Sequence, residues 1–242
     1  MYSLIKRGHS HQATRNTLLK YLIALTFAGS VPAAMAGSLS VAPLRLTYAG
    51  GTTIASITVE NNGREEALVQ TETFAWTQPD GEHKLSPTDD IVAVPPVFRL
   101  PPGARQSVRV GLTRAFAETQ EQTFRLTVTE VPTTAIPGTV AVAVRHSLPI
   151  FVRPASPTAS NLTVTRASSN TLAIANNGSQ HIRIHRWRVR DSAGVILAEN
   201  SGPGYLLAGA HQVLAIAGPR FSGPAMLETD SDIGTTKTVV AE

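Results

Sequence analysis

Hydrophobic and polar positions alternate along much of this chain in short runs, each closed by turn-forming residues. Ser107-Val-Arg-Val-Gly-Leu112 and Phe124-Arg-Leu-Thr-Val-Thr-Glu-Val131 keep a period of two, which sets their apolar side chains on one face of a strand. Ile54–Val59 runs into Asn61-Asn62-Gly63, and Leu68–Trp76 ends at Pro79-Asp80-Gly81, a strong turn signal. The second half repeats the manner, with Leu172–Ile174 before Asn176-Asn177-Gly178 and then the long run Ile182–Val189. Shorter runs follow at Val195–Leu197, Val213–Ile216, Ala225–Leu227 and Thr238–Val240. A helical period is sustained nowhere beyond a turn or two, the best window being Ala115–Glu121. Many short strands separated by regular turns predict an all-β protein of sandwich type.

Arg153-Pro154-Ala155-Ser156-Pro157 is the best internal boundary, because two prolines stiffen a segment that pairs poorly in a sheet. It separates residues 37–153 from 158–242, with 154–157 as linker, and each piece has the size of an immunoglobulin-like domain. The occurrence of Asn-Asn-Gly in both halves hints that the two domains are related.

Composition changes the picture at the N-terminus. Lys6, Arg7, Arg15 and Lys20 precede or enter a mostly apolar stretch, Leu18–Val31, and Ala34 and Ala36 then supply an A-x-A spacing. This is the pattern of a secretory signal peptide over residues 1–36, cut before Gly37. The apolar run is well short of the ~20 residues that span a bilayer. The formal charge of +4 looks basic, yet four of the 21 Lys and Arg and none of the 17 acids lie in that leader. The remainder is balanced at 17 against 17, which removes the reason for a nucleic-acid partner. With no cysteine, thiol chemistry and disulfides are excluded, and packing and strand pairing must hold an exported chain together.

Candidate chemistry is sparse. His181, His185 and His211 raise the question of zinc, but no spacing fixes a full ligand set. Glu65-Glu66 and Asp89-Asp90 sit beside Gly63 and Pro87 and read as turn residues rather than a hydrolytic acid pair. No G-x-S-x-G, phosphate-binding loop or H-E-x-x-H occurs, so neither an enzyme nor a cofactor is expected. Arg183, Arg186, Arg188 and Arg190 surround Trp187, and they are either a face for an acidic partner or a solvated sheet face.

Thr139–Val152, immediately before the linker, places Val140, Val142 and Val144 on one strand face. It is either an interior strand or an edge strand whose valine row is offered to a partner. Seven pieces of sequence, in order, bear on that choice. They are Val41-Ala-Pro-Leu-Arg45-Leu, Val59-Glu-Asn-Asn-Gly63, Phe74-Ala-Trp76, Thr88-Asp-Asp90, Pro95-Pro-Val-Phe-Arg-Leu-x-x-Gly103, Phe124-Arg-Leu-x-x-x-Glu130-Val-Pro132 and Leu148-Pro-Ile-Phe-Val-Arg153-Pro154. Together they resemble the periplasmic pilus-assembly chaperones of the chaperone–usher pathway, in particular the archaic, spore-coat-like branch. Over 158–242 the resemblance is limited to size and β character.

The resemblance implies two immunoglobulin-like domains in a boomerang, located in the periplasm, with pilus subunits bound along the first domain's last strand. The chaperone lends that strand to a subunit lacking its own, a recognised mode of strand addition. Val140, Val142 and Val144 fall at the donor positions. The subunit's terminal carboxylate would be held by Arg45 and by a second cation whose usual lysine position is taken by Pro149, which makes Arg145 the substitute candidate. Arg153 would fix the domain angle with Glu121 and with Asp230 or Asp232. An outer-membrane usher is the other implied partner, and a free chaperone could shield its strand by self-association. The rival reading is a two-domain secreted adhesin or structural pilus component.

Overall fold

The computed structural model describes residues 39–116, 118–132, 143–159, 161–216 and 223–241. The donor candidates Val140 and Val142 and the leader proposed over residues 1–36 lie outside them. The first half holds β1 (Leu39–Ala42), β2 (Leu46–Tyr48), β3 (Ile54–Asn61), β4 (Ala67–Thr77), β5 (Lys84–Pro87), β6 (Ile91–Val94), β7 (Val97–Leu100), β8 (Arg105–Leu112), β9 (Gln122–Val131) and β10 (Arg145–Val152). The second half holds β11 (Leu162–Ser168), β12 (Thr171–Asn176), β13 (Ile182–Asp191), β14 (Ile196–Leu206), β15 (His211–Ala215), β16 (Ala225–Ser231) and β17 (Gly234–Ala241). The window at Ala115–Glu121 forms no helix among its described residues, and the strand expected from Val195 runs on to Leu206.

A four-stranded sheet in the order β1-β3-β8-β6 faces a six-stranded one in the order β2-β10-β9-β4-β5, with β7 also paired to β4. Their alternating strands bury Ile57, Val59, Val108, Val110, Leu126, Val128, Leu148 and Ile150 between them. The second half forms a seven-stranded sheet, β14-β13-β16-β17-β11-β12-β15, that closes over its own core of Leu172, Ile174, Ile182, Ile184, Trp187 and Val189. A bulge between Ile184 and Arg186 shifts the phase of β13, so that both its first isoleucines and Trp187 face inward. Trp76 and Phe151 leave the first sandwich and are buried in this second core, which joins the two packing units.

The repeated Asn-Asn-Gly has a structural counterpart. Asn61 Nδ2 donates to the carbonyls of Glu65 and Leu100, both at 2.8 Å, while its Oδ1 accepts from Gly63 N–H at 2.8 Å. Asn176 Nδ2 likewise donates to the carbonyls of Gln180 (2.8 Å), Leu206 and Leu207, and its Oδ1 accepts from Gly178 N–H at 3.0 Å. Each asparagine is also main-chain bonded to a Gly-Ala pair, Gly103-Ala104 or Gly209-Ala210, whose glycine sits at φ 71° in both cases. The second asparagines, Asn62 and Asn177, bond exposed hydroxyls of Ser40 and Thr163. One loop knot is thus built twice.

Candidate functional site

β10 has two unlike halves. Leu148 to Val152 is buried at every position, whereas Arg145 and Ser147 are exposed. Along one side it pairs antiparallel with β9 over its whole length. On the other side β2 runs parallel to it, but only against Ile150–Val152. From Arg145 to Pro149 that edge is open among the described residues. Glu130 N–H donates to the Val144 carbonyl and Arg153 N–H to the Tyr48 carbonyl, each at 2.9 Å. Since peptide groups alternate between the two sides of a strand, Arg145, Ser147 and Pro149 direct theirs to the open edge. Val144, half-buried, precedes this edge on the face shared with His146, Leu148 and Ile150.

A row of cations crosses the sheet where the open edge ends. Pro149 is opposite Arg125 on β9, which is opposite Phe74 on β4. Leu46 is opposite Ile150, so Arg45, exposed one residue before β2, comes beside Pro149. Arg145 is opposite Thr129 at the far end of the strand, four residues and therefore ~13 Å from this row. Arg45 and Arg125 thus flank Pro149 from its two neighbouring strands, about 10 Å apart across the sheet, and Arg145 stands further off along the strand.

Arg125 is packed on aromatic rings rather than paired with an acid. Its guanidinium carbon is 3.8 Å from the Trp76 ring centroid and 5.8 Å from that of Tyr205, and it donates weakly to the Ser147 carbonyl at 3.4 Å. It has no carboxylate partner among the described residues. Burial holds it below the ordinary arginine value, with the Tyr205 hydroxyl pulling the other way. A partly desolvated guanidinium lacking a counter-ion gains most when an anion arrives. Around it, Tyr205 meets Trp76 edge-on at 5.5 Å and 89°, and Arg183 approaches the Tyr205 ring at 5.3 Å. The Trp76 indole N–H donates to His83 Nδ1 at 3.0 Å, which requires the neutral ring at that nitrogen. Burial first, and then the charge of Arg125, push the His83 pKa down.

The domain junction behind this row is polar and specific. Gln78 Nε2 donates to the Tyr205 carbonyl at 2.8 Å, and its Oε1 accepts from Leu207 N–H at 2.7 Å. Glu121, its side chain wholly buried, accepts from His181 N–H at 3.0 Å and faces His181 Nδ1 at 2.5 Å. The His181 ring stacks on Phe151 at 3.6 Å. Glu121 therefore meets His181 here and not Arg153, whose exposed side chain makes no ion pair among the described residues. Asp230 bonds Arg188 and Thr235, and Asp232 accepts from Arg183 N–H, so both acids stay within the second sandwich. Two of the four arginines of the basic run on β13 are paired with acids, Arg188 3.1 Å from Asp230 and 2.6 Å from Glu228, and Arg190 3.4 Å from Glu228. A cavity of about 420 Å³ lies along the junction, with Trp76, Gln78, Glu121 and Leu207 among its walls.

Sequence reasoning missed Arg125, Gln78 and the junction role of His181. The signal for Arg125 was present, since alternation in Phe124-Arg-Leu puts it opposite the core face. Only the strand register shows that it stands beside Pro149. No helix among the described residues is long and apolar enough to cross a membrane.

With that geometry in view, residues 38–158 match the family model of pili and flagellar-assembly chaperones, PapD N-terminal domain. The probable fimbrial chaperone LpfB of Escherichia coli O157:H7 is 26% identical over 152 residues, covering 60% of this chain and 61% of that protein. The chain thus aligns to somewhat less than two thirds of that relative's length. Among solved structures, a chain of the CsuC–CsuE chaperone–tip subunit pre-assembly complex from archaic Csu pili of Acinetobacter baumannii superposes with a TM-score of 0.65 at 19% identity. That match covers 85% of this chain and 100% of the other. The Salmonella enterica complex of SafA pilin with the SafB chaperone gives 0.62 at 21% identity, covering 86% and 98%. At such identities these likenesses establish the fold.

Proposed function

Because this chain belongs to the pili and flagellar-assembly chaperone family, we propose that it is a periplasmic chaperone that completes pilus subunits with its own strand and passes them to an outer-membrane usher. The family favours this over an adhesin or structural pilus component. In this reading residues 1–36 are an export signal, 37–153 the subunit-binding domain, 154–157 a linker and 158–242 the second domain.

The observation that carries the proposal is the half-open edge of β10 ending at a basic row. A subunit would pair with that edge and bury Val140, Val142 and Val144 in its groove. Three valines offer roughly 5–9 kcal/mol before ordering costs, and main-chain pairing adds about 1 kcal/mol per bond whatever the side chains. The terminal carboxylate would lie against Arg45. Of the two candidates for the second cation, Arg125 shares the row and has no counter-ion among the described residues, while Arg145 is ~13 Å away along the strand. A guanidinium fork suits a carboxylate. The angle between the domains would be set by Glu121 with His181 and by Gln78, with Arg153 left at the surface.

The test is recovery of pilin from the periplasm with a tagged chaperone. Val142→Asp and Arg45→Ala should leave a folded protein that captures none. Arg125→Ala should reduce capture far more than Arg145→Ala. Unchanged capture by both Val142→Asp and Arg45→Ala would sink the strand-donation reading, and the reverse ranking of the last two would return the anchor to Arg145.

A further inference from the structure

Gln78 ends β4 just before the turn at Pro79–Gly81, and it is only 7% exposed. A glutamine so buried must satisfy both ends of its carboxamide, and this one does so across the domain junction, on Tyr205 O and Leu207 N–H. Its donor and acceptor meet the end of β14 as an additional strand's peptide group would. The adjoining turn is equally close-fitting, since a Cβ on Gly81, at φ 81°, would lie 3.0 Å from the His211 carbonyl. The residue whose main chain Gln78 holds is the one whose ring closes the aromatic cluster. Tyr205 packs on Trp76 at 5.5 Å and on Phe151 at 5.6 Å, and both Arg125 and Arg183 lie within 6 Å of its centroid.

We infer that Gln78 is a positioning residue for the carboxylate site: by fixing Tyr205, which packs on Trp76 edge-on, it holds the Arg125 guanidinium on the Trp76 ring, within reach of the open edge at Ser147. This rests on the carboxylate-binding role proposed above. The second domain, which contributes little to the strand edge itself, would then determine how well the first domain distinguishes a chain terminus from an internal segment.

Gln78→Glu is the informative change, because it keeps size and shape but replaces the donor to the Tyr205 carbonyl with a carboxylate oxygen. The probe is a ten-residue peptide of alternating threonine and valine, made once with a free C-terminal carboxylate and once as the amide. Affinity for the signal-free chain is measured by calorimetry. The native chain should prefer the carboxylate by about tenfold, the effect of one good charge-assisted hydrogen bond. Gln78→Glu should abolish that preference while leaving amide affinity unchanged. Gly81→Ala, which disturbs the same junction at the His211 carbonyl rather than at Tyr205, should retain the preference. If Gln78→Glu keeps the preference, loses both affinities equally, or is matched by Gly81→Ala, the positioning role is overturned. If the native chain itself shows no preference, the carboxylate reading fails, and this inference with it. Should Gln78→Glu not fold, Gln78→Ala is judged by the same ratios.

Discussion

Asn61→Asp is a near-isosteric substitution whose cost follows from three hydrogen bonds. In the native loop the amide nitrogen serves the carbonyls of Glu65 and Leu100, both at 2.8 Å, and the side chain is 0% exposed. The introduced carboxylate keeps the acceptor used by Gly63 N–H but turns an oxygen toward those two carbonyls. The stranded Leu100 carbonyl is buried and costs about 1–3 kcal/mol, that of exposed Glu65 can turn to water, and the unpaired charge adds to this, so a loss of roughly 2–4 kcal/mol at neutral pH is expected. The sign of the pH dependence follows. Burial beside two carbonyls raises the folded-state pKa of the new acid, so the folded variant holds its proton more tightly than the unfolded one. Its deficit relative to the native chain is therefore smallest below the unfolded acid value and grows as pH rises through the folded one. Urea unfolding at pH 4 and pH 7, followed by tryptophan emission, measures both quantities. Asn176→Asp should behave alike in the second sandwich. Asn62→Ala, which removes only an exposed 3.0 Å bond to Ser40, should cost less than about 1 kcal/mol. A neutral-pH loss below about 1 kcal/mol in Asn61→Asp, or a deficit that does not grow from pH 4 to pH 7, would refute the reasoning.

Tyr48 is buried, donates to the Val110 carbonyl at 2.7 Å, and has its pKa pushed up to about 12 by burial. Its contribution is complete below pH ~10 and lost as pH rises toward ~12, a fall of roughly 3 kcal/mol in unfolding free energy that Tyr48→Phe should remove from the alkaline titration. His83, with its pKa lowered, acts in the opposite direction: stability is present above the unfolded histidine value and lost as pH falls through the lowered folded one. Protonation withdraws the acceptor from the Trp76 indole, so emission from Trp76 should change over that acid window in a Trp187→Phe background and stay flat once His83→Ala is added. Gly81→Ala and Gly50→Ala both place a side chain at positive φ, but only the former meets a carbonyl, at 3.0 Å. Thermal melts should show Gly81→Ala the worse by about 1–2 kcal/mol, and equal losses would mean that the turn yields freely.

The all-β character was legible because alternation survives in β3, β4, β8 and β9, whose inward valines and isoleucines are those read from the sequence. The edge strands were harder: β2 has three residues and β5, β6 and β7 four each, too short for a period to declare itself. Phase in β13 was disturbed by its bulge, which a strict period of two does not accommodate. Among candidate site residues, Arg45 was singled out through its motif, and its place beside Pro149 follows from the β2–β10 register. Arg125 was invisible as a partner of that position, because cross-strand register depends on the whole sheet and not on any window of sequence. His181 was weighed as a metal ligand and is instead the mate of Glu121, a contact 60 residues distant in sequence that no local spacing encodes.

Pro149 deserves to be read as punctuation in the edge of β10. Arg145 presents both a donor and an acceptor to the open side, and Ser147 a donor beside a carbonyl that Arg125 reaches only weakly, but Pro149 has no N–H and its carbonyl falls to the start of β2. The ladder that an added strand can extend thus closes two residues after Ser147, where β2 takes over the edge. A strand laid there has a fixed last rung and a free beginning. Sequences sharing this seat would be measured from one end only, so that their lengths could differ while the distance of each apolar side chain from the terminus could not.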